Sequence, residues 1–319
     1  MFHKRRYWIP LIGLLGILVS AGFSREYRKT IKKTIPIQSG SSIKVQTLNG
    51  NIQVEGWDRE EVSLVAELIV NAPNDERGER RLDAIKLEIE KNDNNLFIKT
   101  NLARSHNNGF WNWIFGSHTS ASVSFKLKIP RESKLQAKST NGTITAENLN
   151  GKFRLETTNG KVTGTGLSGM VKARTTNGNI HIVLDDLKSD GDMEFLTTNG
   201  SITVAIPRDA NCDIHAQTVN GSIKSDFPLA VHGKFVNKNM DGKINNGGTL
   251  LYLKTVNGSI RIGKNSGNNS KAVKDFSGFE NLLASLADRY HGFLNVSADS
   301  ANQILARLFI DFVRKSFLR

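Results

Sequence analysis

A hexapeptide of the form Thr-x-Asn-Gly-x-Ile/Val recurs through this chain of 319 residues and limits what it can fold into. It reads TLNGNI at Thr47–Ile52, STNGTI at Ser139–Ile144, TTNGKV at Thr157–Val162 and TTNGNI at Thr175–Ile180. TTNGSI follows at Thr197–Ile202, and TVNGSI occurs twice, at Thr218–Ile223 and Thr255–Ile260. From Asn141 the asparagines step by 18, 18, 22, 21 and 37 residues, to Asn159, Asn177, Asn199, Asn220 and Asn257. MDGKI at Met240–Ile244 reads as a degraded copy inside the long step, with Asp241 in the asparagine's place. A period of about twenty residues built from strand and turn formers means stacked β units, which offer surface and length more readily than a pocket.

Asn-Gly is the strongest short turn signal, because both residues tolerate positive φ. The flanks alternate, as in Phe153-Arg-Leu155-Glu, Val171-Lys-Ala173-Arg and Ile180-His-Ile182-Val. Alternation predicts strands with one apolar and one polar face. Looser corners contain Gly151, Gly169 and Gly191. Two architectures satisfy this pattern. In a hairpin meander, each Asn-Gly joins two antiparallel strands. In a β-solenoid, coils stack roughly 4.8 Å apart and like residues sit above like. Asn141, Asn159, Asn177, Asn199, Asn220 and Asn257 would then form a side-chain amide ladder. Identity at equivalent positions favours the solenoid, and the asparagines read as structural turn residues.

The run TLNGNIQVEGWD at Thr47–Asp58, then VSFKLKIP at Val123–Pro130, then the TTNG series, resembles the bacterial DUF4097 family. The resemblance covers about Ile35 to Ile262. It implies an all-β, β-helix-like fold on an extracytoplasmic protein. The name adhesin attaches to that family by analogy, and the resemblance implies no defined chemistry. Residues beyond Ile262 lie outside it.

The ends and the middle read differently from the repeat. Residues 1–24 carry a basic start (His3, Lys4, Arg5, Arg6), an apolar run from Ile9 to Val19, and small residues at Ser20, Ala21, Gly22 and Ser24. This is the pattern of a cleaved export signal, with a short retained membrane anchor as the alternative. Residues 25–138 form an N-terminal β portion, in which basic Arg25–Ile35 reads as a flexible lead-in. Its strands, at Val62–Val70, Ile85–Glu90, Asn95–Thr100 and Val123–Ile129, read as an antiparallel sheet continuous with the repeat stack and able to supply the cap its end needs. The charged run Asp75–Leu82 reads as a short helix or loop. The loop at 105–120, SHNNGFWNWIFGSHTS, concentrates Phe110, Trp111, Trp113, Ile114 and Phe115. Phe110, Trp111, Trp113 and Phe115 are the candidate binding residues; they make a docking patch or fold back over a stack end. Residues 139–262 are the repeat region. Residues 263–319 open with a Gly/Asn/Ser-rich linker, followed by capping boxes at Ser277–Glu280 and Ser300–Gln303 that predict amphipathic helices. The helix over 300–319 carries Arg307, Arg314, Lys315 and Arg319 beside a wide apolar face, suited to protein packing or membrane-surface contact.

Lys and Arg total 43 against 30 Asp and Glu, a net charge of +13. Removing Lys4, Arg5 and Arg6 with the signal leaves 40 basic residues against 30 acidic, or +10. Basic residues are spread along the strands at Lys126, Lys128, Lys134, Lys138, Lys152, Arg154, Lys161, Lys172 and Arg174. Stacking would gather some of them into stripes suited to envelope polyanions or glycans. The same lysines also protect sheet edges from aggregation. Export argues against nucleic acid as a partner; an envelope protein is the other candidate.

Catalytic signals are missing. The chain has no HExxH, GxSxG, P-loop or CxxC. Cys212 is the sole cysteine, so no intramolecular disulfide forms, and it reads as a small buried apolar residue. The acidic corner Asp185–Asp192 lacks the spacing of known calcium loops, and His106 and His118 lack metal-binding companions. No catalytic residue, metal ligand or cofactor is therefore expected. The expected function is a noncatalytic, adhesin-like binding or scaffold protein of the bacterial envelope. The alternatives are an accessory protein in envelope-stress signalling or assembly, and a β-helix enzyme acting on glycans.

Overall fold

The computed structural model describes residues 25–72, 75–102, 120–187, 191–229, 231–232 and 237–265. The aromatic loop with Phe110, Trp111, Trp113 and Phe115, and the tail from 266, lie outside the described residues. The chain enters on β1 (Arg25–Pro36), then β2 (Ser42–Asn49) and, past the first Asn-Gly, β3 (Ile52–Trp57). It leaves through β4 (Glu61–Ala72), helix α1 (Asp75–Ala84) and β5 (Ile85–Asn92), and returns on β6 (Asn95–Leu102) and β7 (Ser120–Pro130). β8 (Glu132–Asn141), β9 (Ile144–Glu156), β10 (Val162–Arg174), β11 (Ile180–Asp186), β12 (Met193–Leu196) and β13 (Ile202–Pro207) follow. The C-terminal part is β14 (Cys212–Asn220), β15 (Ile223–Ser225), β16 (Val231–His232), β17 (Lys238–Ile244), β18 (Thr249–Asn257) and β19 (Ile260–Asn265).

Each Asn-Gly corner divides a coil into an incoming and an outgoing strand. Incoming strands pair in the order β6, β2, β8, β9, β10, β12, β18, β14, all parallel. Outgoing strands pair in the order β7, β3, β9, β10, β11, β13, β19, β15. β9 and β10 serve both layers, because each runs unbroken through the looser corner at Gly151 or Gly169. One apolar core is shared by the two layers, and the residue closing each motif belongs to it: Ile52, Ile144, Val162, Ile180, Ile202, Ile260 and Ile223. This is a nearly all-β, solenoid-like stack.

Every letter of the motif has a physical task at the corner. The Thr or Ser is buried, and from Ser139 onward its hydroxyl donates to the glycine carbonyl of the neighbouring coil, while Thr47 donates to Val123 O. Thr157 reaches Gly142 at 2.9 Å, Thr175 reaches Gly160 at 2.9 Å, and Thr218 reaches Gly258 at 2.8 Å. Each asparagine Nδ2 donates to the next asparagine's Oδ1, from Asn141 to Asn49 (2.7 Å), Asn159 to Asn141 (2.8 Å), Asn177 to Asn159 (2.7 Å) and Asn199 to Asn177 (2.8 Å). Asn257 donates to Asn199 at 2.8 Å, and Asn220 to Asn257 at 2.9 Å.

The glycine is required for a different reason from the one the turn signal suggests. Among the motif glycines only Gly50 has positive φ, at 140°, and no motif asparagine does. What excludes a side chain is the neighbouring backbone. A Cβ on Gly160 would lie 2.1 Å from Gly142 O; on Gly178, Gly200, Gly258 or Gly221 it would lie 1.9 Å from the stacked glycine's oxygen.

Other expectations are corrected as well. Asn49 and Asn141 are 92 residues apart in sequence yet adjacent in the ladder, so the first copy belongs to the stack itself. Asn257 lies between Asn199 and Asn220, out of chain order. MDGKI is not a copy: it lies in β17, which runs antiparallel on β14 with Asp241 opposite His215. The N-terminal portion is antiparallel only where β4 meets β1 and β7 and where β5 meets β6; β2, β3, β6 and β7 are parallel members of the stack.

Arg25–Ile35 is no lead-in, because β1 pairs along its whole length with β4. It is an edge strand, and its core side carries Lys29 and Lys33 between Tyr27, Ile31 and Ile35. Inward charge on an edge opposes strand addition. α1 is tied to β1 by Arg25–Asp75 and Lys29–Asp83, both 3.2 Å, and by a Tyr27–Asp75 hydrogen bond. Its Gly78 leaves room for the Tyr27 ring, whose Cδ2 would be 2.3 Å from a Cβ there.

The glycine account is tested by comparing Gly178→Ala with Gly40→Ala. Gly40 has φ +78° but open space around it. Gly178→Ala is expected to cost about 3 kcal/mol or more by urea denaturation, from overpacking against fixed backbone. Gly40→Ala is expected to cost about 1 kcal/mol, the left-handed penalty. The reverse order would sink the close-approach explanation.

Candidate binding face

The register sorts outward side chains into columns that run across the coils. One column of the incoming layer reads Phe97, Lys44, Gln136, Arg154, Lys172, Glu194, Tyr252, His215, Asp241. A second reads Lys99, Gln46, Lys138, Glu156, Arg174, Leu196, Lys254. A third holds Ser42, Lys134, Lys152 and Met170. On the four neighbouring strands β2, β8, β9 and β10, this face therefore has seven cations (Lys44, Lys134, Lys138, Lys152, Arg154, Lys172, Arg174) and two carboxylates (Glu132, Glu156), net +5. The block spans three strand spacings, about 14 Å, by four residues, about 13 Å.

Both arginines are engaged, Arg154 with Glu156 at 3.0 Å and Arg174 with Glu194 at 2.9 Å. Lys44 lies 5.4 Å from the centre of the Phe97 ring. Lys134, Lys138, Lys152 and Lys172 have no carboxylate in ion-pair contact among the described residues. Past the block the charge changes. β5 and β6 carry Glu88 and Glu90 beside Lys86 and Lys99, with Lys99 on Glu88 at 2.8 Å. The other side carries Glu194, Asp213 and Asp241 beside Lys243 and Lys254.

The outgoing layer is different. Lys126 and Lys128, counted among the stripe residues from sequence, belong here and are neutralised by Glu67 (2.9 Å) and Glu55 (3.2 Å). The middle is a threonine field of Thr145, Thr163 and Thr203, with His181 among them. Burial, then Lys161, holds the His181 pKa below its ordinary value. Glu55 and Glu147 stand in register on β3 and β9. Burial, then Glu55, raises the Glu147 pKa. Sequence reasoning missed this pair, because 92 residues separate its members.

Little here supports covalent chemistry. Cys212 is fully buried, and burial pushes its thiol up to about 11. His215 stacks on Tyr252 at 5.3 Å and shares a hydrogen bond with Asp241, with no hydroxyl or thiol bonded to it among the described residues. Among the described residues no group of three His, Cys, Asp or Glu can hold a metal, and no helix is long and apolar enough to cross a membrane. Of the acidic corner, Asp185 and Asp186 end β11, and residues 188–190 lie outside the described residues.

A nearly all-β, solenoid-like stack with Asn-Gly corners and a polarised sheet face is the class of protein defined by this geometry. The chain belongs to the Toastrack DUF4097 family, whose profile matches residues 14–263. It is similar to the structure of a candidate cell adhesion protein from Clostridium sporogenes, at 13% identity and a TM-score of 0.38, over 76% of this chain and 100% of that one. A candidate adhesin from Bacteroides fragilis matches at 13% identity and a TM-score of 0.31, over 74% and 97% of the two chains. A candidate lipid binding protein from Parabacteroides distasonis matches at 11% identity and 0.24, over 74% and 97%. No curated protein matches the chain.

The Glu147 shift has a sign that stability measurements can read. Its folded-state pKa lies above the ordinary 4.5, so the folded protein holds the proton more tightly than the unfolded chain. Stability contributed by this group is full below 4.5 and is lost as pH rises through the raised value. Glu147→Gln is expected to flatten that segment of the stability curve and raise the melting temperature at pH 7. Urea midpoints for both proteins between pH 4 and pH 8 check this; parallel curves would refute it.

Proposed function

We propose that this protein is a noncatalytic, extracytoplasmic binding or scaffold protein of the bacterial envelope, working through a face of its stack. The observation that carries this reading is the net +5 block on four adjacent strands. A field of that size attracts polyanions over a distance comparable to the Debye length. The burial of Cys212, the one thiol of the chain, supports the noncatalytic part of the reading. The basic, apolar and small-residue order of residues 1–24 supports export.

Two measurements test the proposal. Mass spectrometry of the mature N-terminus, after fractionation of the host, is expected to find the chain outside the cytoplasm. The purified mature protein is expected to stay on a sulfated polyanion matrix at about 50 mM salt and to elute by about 500 mM, where screening is severe. A protein found intact in the cytoplasm, or one that passes through the matrix at low salt, would defeat it.

A further inference from the structure

We infer that the basic block docks a linear phosphodiester polymer of simple polyol units, lying along strands β2, β8, β9 and β10; this rests on the binding role proposed above. Three features of the block point to that ligand. The first is the type of cation. A planar carboxylate gains most from a bidentate guanidinium, and both guanidinia are already occupied, by Glu156 and Glu194. What remains are the ammonium groups of Lys44, Lys134, Lys138, Lys152 and Lys172. Ammonium is a point charge with rotatable donors and suits the spread charge of phosphate oxygens.

The second feature is the boundary. Across the coils the net positive charge ends, because Lys86 and Lys99 are balanced by Glu88 and Glu90 on one side, and Lys243 and Lys254 are outnumbered by Glu194, Asp213 and Asp241 on the other. A bilayer laid flat on this face would press those carboxylates onto anionic headgroups. A thin chain running along the strands stays over the block, where seven cations outnumber Glu132 and Glu156. The third feature is the lack of anything to stack or insert. The outward positions of the block are Ser, Gln, Lys, Arg and Glu apart from Met170, which is half-buried. Single-stranded nucleic acids are held by aromatic platforms for their bases, and interfacial membrane binding uses large apolar side chains. Neither is on these four strands. The in-register stacking of Lys134 on Lys152 and of Arg154 on Lys172 fixes the backbones that carry the charges. The polymer therefore does not have to order them.

The test uses the full mature protein and fluorescently labelled poly(glycerol phosphate), read by anisotropy at low salt. Binding is expected to weaken steeply as salt rises. The triple variant Lys134→Gln, Lys152→Gln, Lys172→Gln is expected to bind roughly a hundredfold more weakly, about fivefold per lysine. A control triple on the other layer and its edge, Lys32→Gln, Lys126→Gln, Lys224→Gln, is expected to stay within about twofold, since it leaves the block's field intact. Equal binding by the first triple and the parent, with unchanged circular dichroism and melting, overturns the assignment of the site. Alginate, a thymidine oligomer and phosphatidylglycerol vesicles are run beside the polymer. If one of these binds tighter than poly(glycerol phosphate) and is lost in the first triple, the phosphodiester polyol is wrong while the binding face stands. If no polyanion binds at low salt, both readings fall.

Discussion

At each Asn-Gly corner, glycine lies on glycine so closely that no side chain fits between coils. That contact sets the distance at which everything else in the stack must work. With the backbones held this near, a buried threonine hydroxyl reaches the neighbouring glycine carbonyl, and one asparagine reaches the next. Asparagine suits the column because its amide both donates and accepts, so identical residues are complementary to one another. Aspartate in every coil would set like charges side by side. The six amide bonds all point the same way, each Nδ2 toward the N-terminal end of the stack, and at that end Asn49 donates to Ala121 O at 3.3 Å.

A parallel stack has a problem at its ends, where the last coil presents open strands. This chain solves it alike at both ends, by leaving the stack and returning one coil inward. After β3 it goes out through β4, α1 and β5, lays down β6 and β7, and only then pairs β8 onto β2. After β13 it lays down β14 and β15, crosses β14 with the antiparallel β17, and threads β18 between β12 and β14. Both outer incoming strands thus receive an antiparallel neighbour, β5 on β6 and β17 on β14. Antiparallel strands end a parallel array, because they do not present the next coil's template.

Much of this was legible in the sequence, and the illegible part has a clear cause. The repeat, the alternating faces, the amide ladder and the burial of Cys212 each depend on a few neighbouring residues, and local pattern carries them. Which coil lies on which does not. TVNGSI at Thr218 and TVNGSI at Thr255 are identical, so nothing in either copy says that the later one stacks first. The same holds for Asn49 and Asn141, whose pairing depends on the length and path of the segment between them. The glycine was predicted with the wrong reason attached. Asn-Gly does mark the corner, but ordinary φ at Gly178 and Gly200 shows that space, not dihedral freedom, is what the position demands. Sequence placed Lys126 and Lys128 with the other strand cations, and only the register separates those neutralised by Glu67 and Glu55 from the unpaired lysines of the opposite layer.

The corner contact also governs the surface. Because coils stack in register over most of their length, a residue type repeated at one position becomes a column at one strand spacing, and charge cannot average out as it does on an irregular surface. Seven cations with only two carboxylates on four strands would repel one another strongly in a free chain of that density. They are held there by buried contacts on the opposite side of the same strands: Val45, Leu135, Ala137, Phe153, Leu155, Val171 and Ala173. The core therefore holds a repulsive arrangement that a polyanion relieves, and binding would be stabilising for the fold as well as for the complex. A site built this way needs no pocket. It draws on several weak, exposed ammonium–anion contacts made together, so the affinity of such a face depends on charge spacing and salt more than on the fit of any one side chain.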